Sequence, residues 1–569
     1  MKMRGKTVNR ISTMILYASV IAFLSFFCLL PILSVIESGL MDGVNFRTDI
    51  FIETVSSERT RDVVSFTLWQ AVISTMATVA LALPGAYLMT RYRFKGRSAV
   101  MSATTVPFVL PPLVLAIGFV SLFGTNGTLN SVLDTAGSTL GIGMPDIDIL
   151  YSREVIILAH VFFNFPIALR ILASRFETFD VRLIDASRSL GAGPLKTFFR
   201  IILPQLRYAL LSASSLVFTF CFLSFGVVLV VGGMSNATVE VEIFRYRFDH
   251  GISGTLLLIE GLIVLASTSL YLWSSRKMGA GAGTSLGTGF VGKAGKKITP
   301  LALAVIILYV ALTTVIIFGP LTSVVHTSFV HEFGGETEYS TFWFERLLSR
   351  ENDPTIGVSP MGAVLNSLLF GLLTIAVSLP LSMVTAYLLH RKGFKWKLPL
   401  DTLLLIPIGV STVGLGYGLV KFYSGSFLDI TGSWIIIVMV HSLLAYPLGA
   451  RSIYTSLSDM PPNLRNAARS LGAGPVKRFL TVDIPLIMPG ILVAAVFAFA
   501  VSIGEFGATY LVSAPEYTTM PVALYRLLSA GRDIGSATAY GVILMAITFL
   551  SFMAIESGIR RIWKTGVRS

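Results

Sequence analysis

Twelve apolar runs, each long enough to cross a bilayer, constrain this chain more than any other feature. They fall near 14–36, 64–89, 100–123, 153–174, 207–232, 254–274, 299–326, 362–389, 399–422, 433–454, 486–512 and 536–556. About 20 apolar residues in a helix span the roughly 30 Å of a hydrocarbon core. Inside lipid, only helices and closed barrels satisfy their own backbone hydrogen bonds. Hydrophobic residues make up 54% of the 569 and charged residues 13%, more apolar surface than a soluble domain can hide. The expected fold class is an all-α membrane protein of about twelve transmembrane helices.

A formal net charge of +13 would suit a nucleic-acid binder, but its distribution points to membrane orientation and to no nucleic-acid partner. Basic residues cluster at Lys2, Arg4, Lys6 and Arg10; at Arg91, Arg93, Lys95 and Arg97; at Arg391, Lys392, Lys395 and Lys397; and at Arg560, Arg561 and Lys564. Acids gather in the alternate loops 37–62 and 327–361, among them Glu37, Asp49, Glu338 and Glu345. This alternation is the positive-inside pattern and puts both termini in the cytoplasm of a multi-pass plasma-membrane protein. The first apolar run is too long for the core of a signal peptide and lacks a small-x-small cleavage site, so it reads as an uncleaved span. Cys28 and Cys221 lie inside apolar runs and offer neither a disulfide framework nor a metal site. The sequons at Asn126 and Asn236 read as chance matches.

The chain repeats itself. Asp185-Ala186-Ser187-x3-Gly191-x9-Ile201-x-Leu203-Pro204 returns 281 residues later as Asn466-Ala467-Ala468-x3-Gly472-x9-Val482-x-Ile484-Pro485. His160, Pro166 and Arg170 map at the same offset onto His441, Pro447 and Arg451. Earlier in each half the offset is 300: Ala86-Tyr87-Leu88 maps onto Ala386-Tyr387-Leu388, and Pro107 and Gly118 onto Pro407 and Gly418. The difference falls in a longer, Gly-rich external loop at about 124–152. Six spans per half is an even number, so both halves enter the membrane the same way, as parallel repeats. The expected organisation is a first half over 1–274 with a coupling loop near 182–204, a linker over 275–298, and a second half over 299–569 with a coupling loop near 463–485.

Gly, Ser, Ala and scattered Lys make the linker a flexible cytoplasmic tether. Gly287, Gly292 and Lys293 have the spacing of a phosphate-binding loop, but Ala294 stands where Ser or Thr would hold magnesium, and no strand precedes it. The chain is expected to bind no cofactor itself and to leave ATP to another protein.

Each copy of the signature has small residues, then a glycine able to take positive φ and end a helix, then a proline (Pro194, Pro475) able to start the next. This describes a rigid helix–turn–helix knob. A single copy could be an amphipathic helix lying on the inner leaflet; two copies at identical spacing argue for one kind of partner engaged twice.

The signature resembles the EAA loop of binding-protein-dependent ABC importer permeases, whose consensus is Glu-Ala-Ala-x3-Gly-x9-Ile-x-Leu-Pro. Asp185, Ser187, Asn466, Val482 and Ile484 depart from that consensus. The resemblance covers the whole chain and implies a type I importer permease fold, with each loop a coupling helix inserted into one of two copies of a cytoplasmic ABC ATPase. It also implies an extracytoplasmic substrate-binding protein as partner, with ATP and magnesium held on the ATPase. Fused twelve-span permeases of this kind are typical of the thiamine and ferric-iron branches. Leu158–Pro166, Ser65–Ala71 and Ser502–Gly507 look like the thiamine permease.

Inside the membrane, Glu505 is the most informative residue, because a carboxylate there faces a cavity or a partner. Its repeat counterpart is Ser224. Both the solute pathway and a structural hydrogen bond remain open for it. His160 and His441 favour symmetric packing with a hydrogen bond over metal ligation, which needs more ligands nearby. Glu260 is a second intramembrane acid. Glu505, Ser224, Glu260, His160 and His441 are the candidate pathway residues; no metal site is expected. A gradient-driven secondary transporter would suit twelve parallel spans and intramembrane acids equally, but needs no paired docking knobs. A membrane-embedded enzyme lacks a nucleophile–base set.

Overall fold

A computed structural model describes residues 14–42, 45–92, 94–104, 106–125, 127–180, 182–233, 235–282, 299–333, 336–391, 396–404, 406–531 and 533–566. Among them are eleven helical stretches long and apolar enough to cross a membrane. The fold is all-helical apart from two short hairpins, Met41–Asp42 with Asn45–Phe46 and Val330–Phe333 with Glu336–Tyr339. Each follows the first span of its half.

The stretch read as a continuous span at 399–422 is broken, which accounts for eleven rather than twelve. It runs as Lys397–Leu403, a 3-10 turn Ile406–Gly409, and Thr412–Tyr423. Its counterpart at 100–123 is broken in the same places, into Arg97–Ala103, Val106–Val109 and Pro112–Phe123. At the first-half break Pro111 and Pro112 each lack a backbone donor, and Pro111 is held extended at ψ 134° by the proline after it. Pro107 and Pro407 lie at the second position of the short turns Val106–Val109 and Ile406–Gly409, where a donor is not needed. Ser411 restarts the second-half helix by accepting a hydrogen bond from the Gly414 N–H at 2.8 Å. The fifth spans are also broken, between Leu203–Phe222 and Gly226–Val231 and between Ile484–Gly504 and Gly507–Val512. The stretch near 124–152, read as a loop, carries a helix, Thr128–Leu140, which Gly141 ends at φ 66°.

Packing divides the chain differently from the repeat. One compact unit joins residues up to Arg47 and Arg247–Gly254 to everything from Tyr339 on; the other holds Thr48–Tyr246 and Thr255–Glu338. The first span of each sequence half therefore packs in the bundle formed by the rest of the other half. In the first unit Val20, Leu24 and Cys28 share a core with Leu415, Leu419 and Tyr423. A Cβ on Gly418 would meet the Pro31 carbonyl oxygen at 2.5 Å. In the second, a Cβ on Gly118 would meet the Pro320 carbonyl oxygen at 2.9 Å. The matched glycines thus mark points where each exchanged span brings its backbone up against its new bundle.

Of the expected linker, residues 275–282 continue the helix His250–Ala282, because nothing before the Gly-rich stretch stops it. Residues 283–298, including the near-miss phosphate loop, lie outside the described residues, as do Asn126, Arg93 and the N-terminal basic cluster.

Candidate functional site: twin signature loops and intramembrane polar groups

The two signature loops fold alike, each within its own unit. In the first, helix Arg182–Ser189 ends in a Schellman turn: Ala192 N donates to Ser187 O at 3.0 Å and Gly191 N to Arg188 O at 2.9 Å. In the second, helix Pro462–Ser470 ends with Ala473 N donating to Ala468 O at 3.0 Å and Gly472 N to Arg469 O at 3.1 Å. Gly191 and Gly472 both have φ 78°, the left-handed conformation that the spacing predicts. Pro194 and Pro475 open the next short helices; a single π-helical turn follows, Phe198–Ile202 or Phe479–Asp483, and the span begins at Leu203-Pro204 or Ile484-Pro485.

The tips of both loops are apolar and unburied. Leu190 and Leu471 are each 87% exposed, with Leu195 and Val476 beside them also exposed. Asp185, Ala186, Asn466 and Ala467 face solvent, whereas Ser187 is buried and hydrogen-bonds Thr197 Oγ1 at 2.7 Å. The undersides differ. Ile184 and Ile202 are buried beneath the first loop. Their counterparts in the second are Arg465 and Asp483, an ion pair at 2.8 Å with the carboxylate almost fully buried.

Inside the membrane, the structure brings Glu505 and His441 together. The Glu505 carboxylate caps helix Gly507–Val512, accepting from Ala508 N and Thr509 N at 2.9 Å each and from the Thr509 hydroxyl. His441 Nε2 lies 3.6 Å from it and 2.8 Å from Thr509 Oγ1; His441 Nδ1 lies 2.7 Å from Ser502 Oγ. Glu505 therefore ties span Trp434–Ser458 to the break in the fifth span. In the other unit, His160 is buried against Ser74, while Ser224 lies in the corresponding break, its carbonyl accepting from Thr238 Oγ1 at 3.5 Å. Glu260 is buried in helix His250–Ala282. No cluster of three or more His, Cys, Asp or Glu that could hold a metal occurs among the described residues.

Glu505→Gln is expected to lower second-half stability by about 1.5–3 kcal/mol, because an amide cannot accept both backbone N–H groups and keep its own NH₂ clear of donors. A thermal-unfolding midpoint unchanged in lipid nanodiscs would show that the cap does not hold the break.

The family of binding-protein-dependent transport system inner membrane components matches residues 79–319 and 360–564. The chain belongs to this family. The thiamine transport system permease protein ThiP of Brucella abortus is 27% identical over 509 residues, 87% of this chain and 88% of that protein. ThiP of Escherichia coli is 25% identical over 500 residues, with the same coverage of each. The ferric transport system permease protein FbpB of Actinobacillus pleuropneumoniae is 25% identical over 541 residues, 93% of this chain and 76% of that protein. Among solved structures, a bacterial ABC transporter involved in import of the acidic polysaccharide alginate aligns with 48% of this chain and 98% of the matched chain, at a TM-score of 0.39 and 14% identity.

The molecule is thus a fused ABC importer permease of type I fold, a multi-pass transport subunit. Sequence reasoning missed several of this permease's polar anchors. Glu242, buried, pairs with Arg59 at 2.7 Å and Arg245 at 3.7 Å. The sequence clue was two acids, Glu240 and Glu242, alternating with Val239, Val241 and Ile243. Asn236, read as a chance sequon, is buried and donates its amide to the Tyr151 carbonyl at 2.9 Å.

Proposed function

We propose that this permease carries a small solute from an extracytoplasmic binding protein into the cytoplasm, driven by two copies of a cytoplasmic ABC ATPase that grip the two signature loops. Both termini face the cytoplasm, and ATP and magnesium stay on the ATPase. One observation carries the reading: the Arg-Ser-Leu-Gly-Ala-Gly-Pro stretch of residues 188–194 returns unchanged at 469–475, folds into the same turn and holds out the same exposed leucine. A soluble surface gains nothing from a bare leucine at a rigid tip; a groove on a partner does. Coupling residues are Asp185, Ala186, Ser187, Gly191, Leu203 and Pro204 in the first loop, and Asn466, Ala467, Ala468, Gly472, Ile484 and Pro485 in the second.

Thiamine or a thiamine phosphate is the first solute, supported by relatives with that named substrate over most of the chain. Ferric iron is the second, supported by a relative named for that solute that matches 93% of the chain. Proteoliposomes holding the permease, its ATPase and its binding protein are expected to accumulate labelled thiamine only with ATP inside the compartment facing the ATPase. Accumulation without the ATPase would replace this reading with a gradient-driven carrier. ATP-dependent uptake of ferric iron but not thiamine would select the second solute.

A further inference from the structure

In the first packed unit, the start of helix His250–Ala282 lies against the end of the first span through glycines. A Cβ on Gly39 would meet the His250 carbonyl oxygen, and one on Gly254 would meet the Val35 carbonyl oxygen at 3.2 Å. This backbone-to-backbone packing fixes the position of His250. Helix Thr412–Tyr423 supplies both partners of its ring. His250 Nε2 lies 3.2 Å from Lys421 Nζ, and Nδ1 bonds the Tyr417 hydroxyl.

The lysine decides how this cluster is protonated. An ammonium donates and has no lone pair, so its bond to Nε2 exists only while that nitrogen is bare. The neutral ring then carries its hydrogen on Nδ1 and donates it to the Tyr417 oxygen. One protonation state satisfies both ring nitrogens. A second proton removes the acceptor and sets an imidazolium against the ammonium. Lys421 is the one charged residue of helix Thr412–Tyr423. The other charged groups around the ring are engaged or turned away. Asp249 accepts from the Ile252 N–H at 3.1 Å as cap of the histidine's own helix. The Arg247 guanidinium lies over the Phe248 ring. Glu37 is on the exposed side of the first span, away from its buried stripe of Pro31, Val35 and Gly39.

This bond lies where the chain changes bundles. Residues Arg247–Gly254 pack in the first unit, and the same helix belongs to the second from Thr255 on. The repeat holds no copy of the cluster. Asp249-His250-Gly251 recurs as Asp533-Ile534-Gly535, and Tyr417 and Lys421 correspond to Ile117 and Ser121. Packing alone is therefore met by an isoleucine at the histidine's position.

We propose that His250 is an acid-sensitive latch: bare at Nε2, it ties the first turn of helix His250–Ala282 to Lys421, and protonated, it lets that turn go. The tie is complete above the ordinary imidazole range and lost below it. With both termini in the cytoplasm, this end of the helix faces outward, and the protons that act on it are external; this last step rests on the transport reading above.

Hydrogen exchange of the full-length permease in lipid nanodiscs, open to buffer on both faces, tests the latch whether or not that reading holds. Peptides covering the first two turns of the helix are compared at pH 8.0 and pH 5.0, about 1.5 units to either side of the ordinary imidazole value. His250→Gln is the reference, because an amide accepts from Lys421 and donates to Tyr417 at either pH. It also carries the ordinary chemical pH dependence of exchange. At pH 8.0 the two proteins are expected to exchange alike. At pH 5.0 the unchanged permease is expected to exchange several-fold faster than the variant. Lys421→Gln, a neutral partner able to donate or accept, is expected to match His250→Gln at both pH values. Equal exchange of the unchanged permease and His250→Gln at pH 5.0 would overturn the proposal. An acid response that survives Lys421→Gln would overturn it as well, and this second comparison decides if His250→Gln fails to fold.

Discussion

Changing Leu190 and Leu471 together to aspartate is expected to abolish capture of the cytoplasmic ATPase and leave the membrane fold intact. Both side chains are 87% exposed at the tips of their loops, so neither contributes a core contact that the permease could lose. Surface changes of this kind shift stability by no more than about 0.5 kcal/mol. In a partner's groove the same leucine is a desolvated anchor, and truncating such an anchor costs about 2 kcal/mol or more. Aspartate adds the cost of burying an unpaired charge. Each single variant is then expected to weaken capture roughly 30-fold, and the pair roughly a thousandfold if the losses add. The backbone supplies the control. Nothing in the permease lies within 4 Å of a Cβ on Gly191 or Gly472, and asparagine tolerates left-handed φ, so Gly191→Asn/Gly472→Asn should keep the turn and the unfolding midpoint, separating the effect of the fold from that of the contact. Valine at both sites meets no clash but pays about 1–2 kcal/mol per loop for its backbone. Capture at full strength by the aspartate pair, measured by biolayer interferometry in nanodiscs with an unchanged unfolding midpoint, would remove the loops from the docking role.

The sequence made these loops legible because their geometry is local. A helix, a positive-φ glycine and a proline sit within a dozen residues, and the turn follows from backbone sterics alone. Gly118 and Gly418 were also visible as a matched pair, but their cause was not. Hydropathy says that residues 14–36 cross the membrane without saying which bundle they pack against, so the exchange of first spans had no sequence signal. The breaks at Pro107 and Pro407 were readable as kinks, yet apolar residues on both sides concealed how far each helix was interrupted. Glu505 stood out because a carboxylate in lipid needs a reason. Its role as a cap depends on Thr509, four residues on, and on His441, 64 residues earlier, and only the folded chain joins them.

Arg465→Ile alone is expected to destabilise the second loop strongly, and Arg465→Ile/Asp483→Ile to restore it. Asp483 is nearly buried under the loop, held by Arg465 at 2.8 Å. Removing the arginine leaves a carboxylate without its counter-charge, a loss of about 3 kcal/mol at the lower end of the range for buried pairs. The permease itself contains the apolar solution. At the same repeat positions the first half places Ile184 and Ile202, both buried. The aromatic neighbours correspond as well: Tyr387 packs on Phe479 at 5.6 Å between ring centres, and their counterparts are Tyr87 and Phe198. An isoleucine pair under the second loop therefore meets surroundings that already accept one, and replacing a buried ion pair by apolar residues is often neutral or stabilising. Unfolding midpoints and ATPase capture should fall in the single variant and return in the double. If the double variant unfolds normally but fails to couple ATP hydrolysis to uptake, the charge itself takes part in transmission from the loop to the spans; if it is as unstable as the single, the two loops are not interchangeable in their packing.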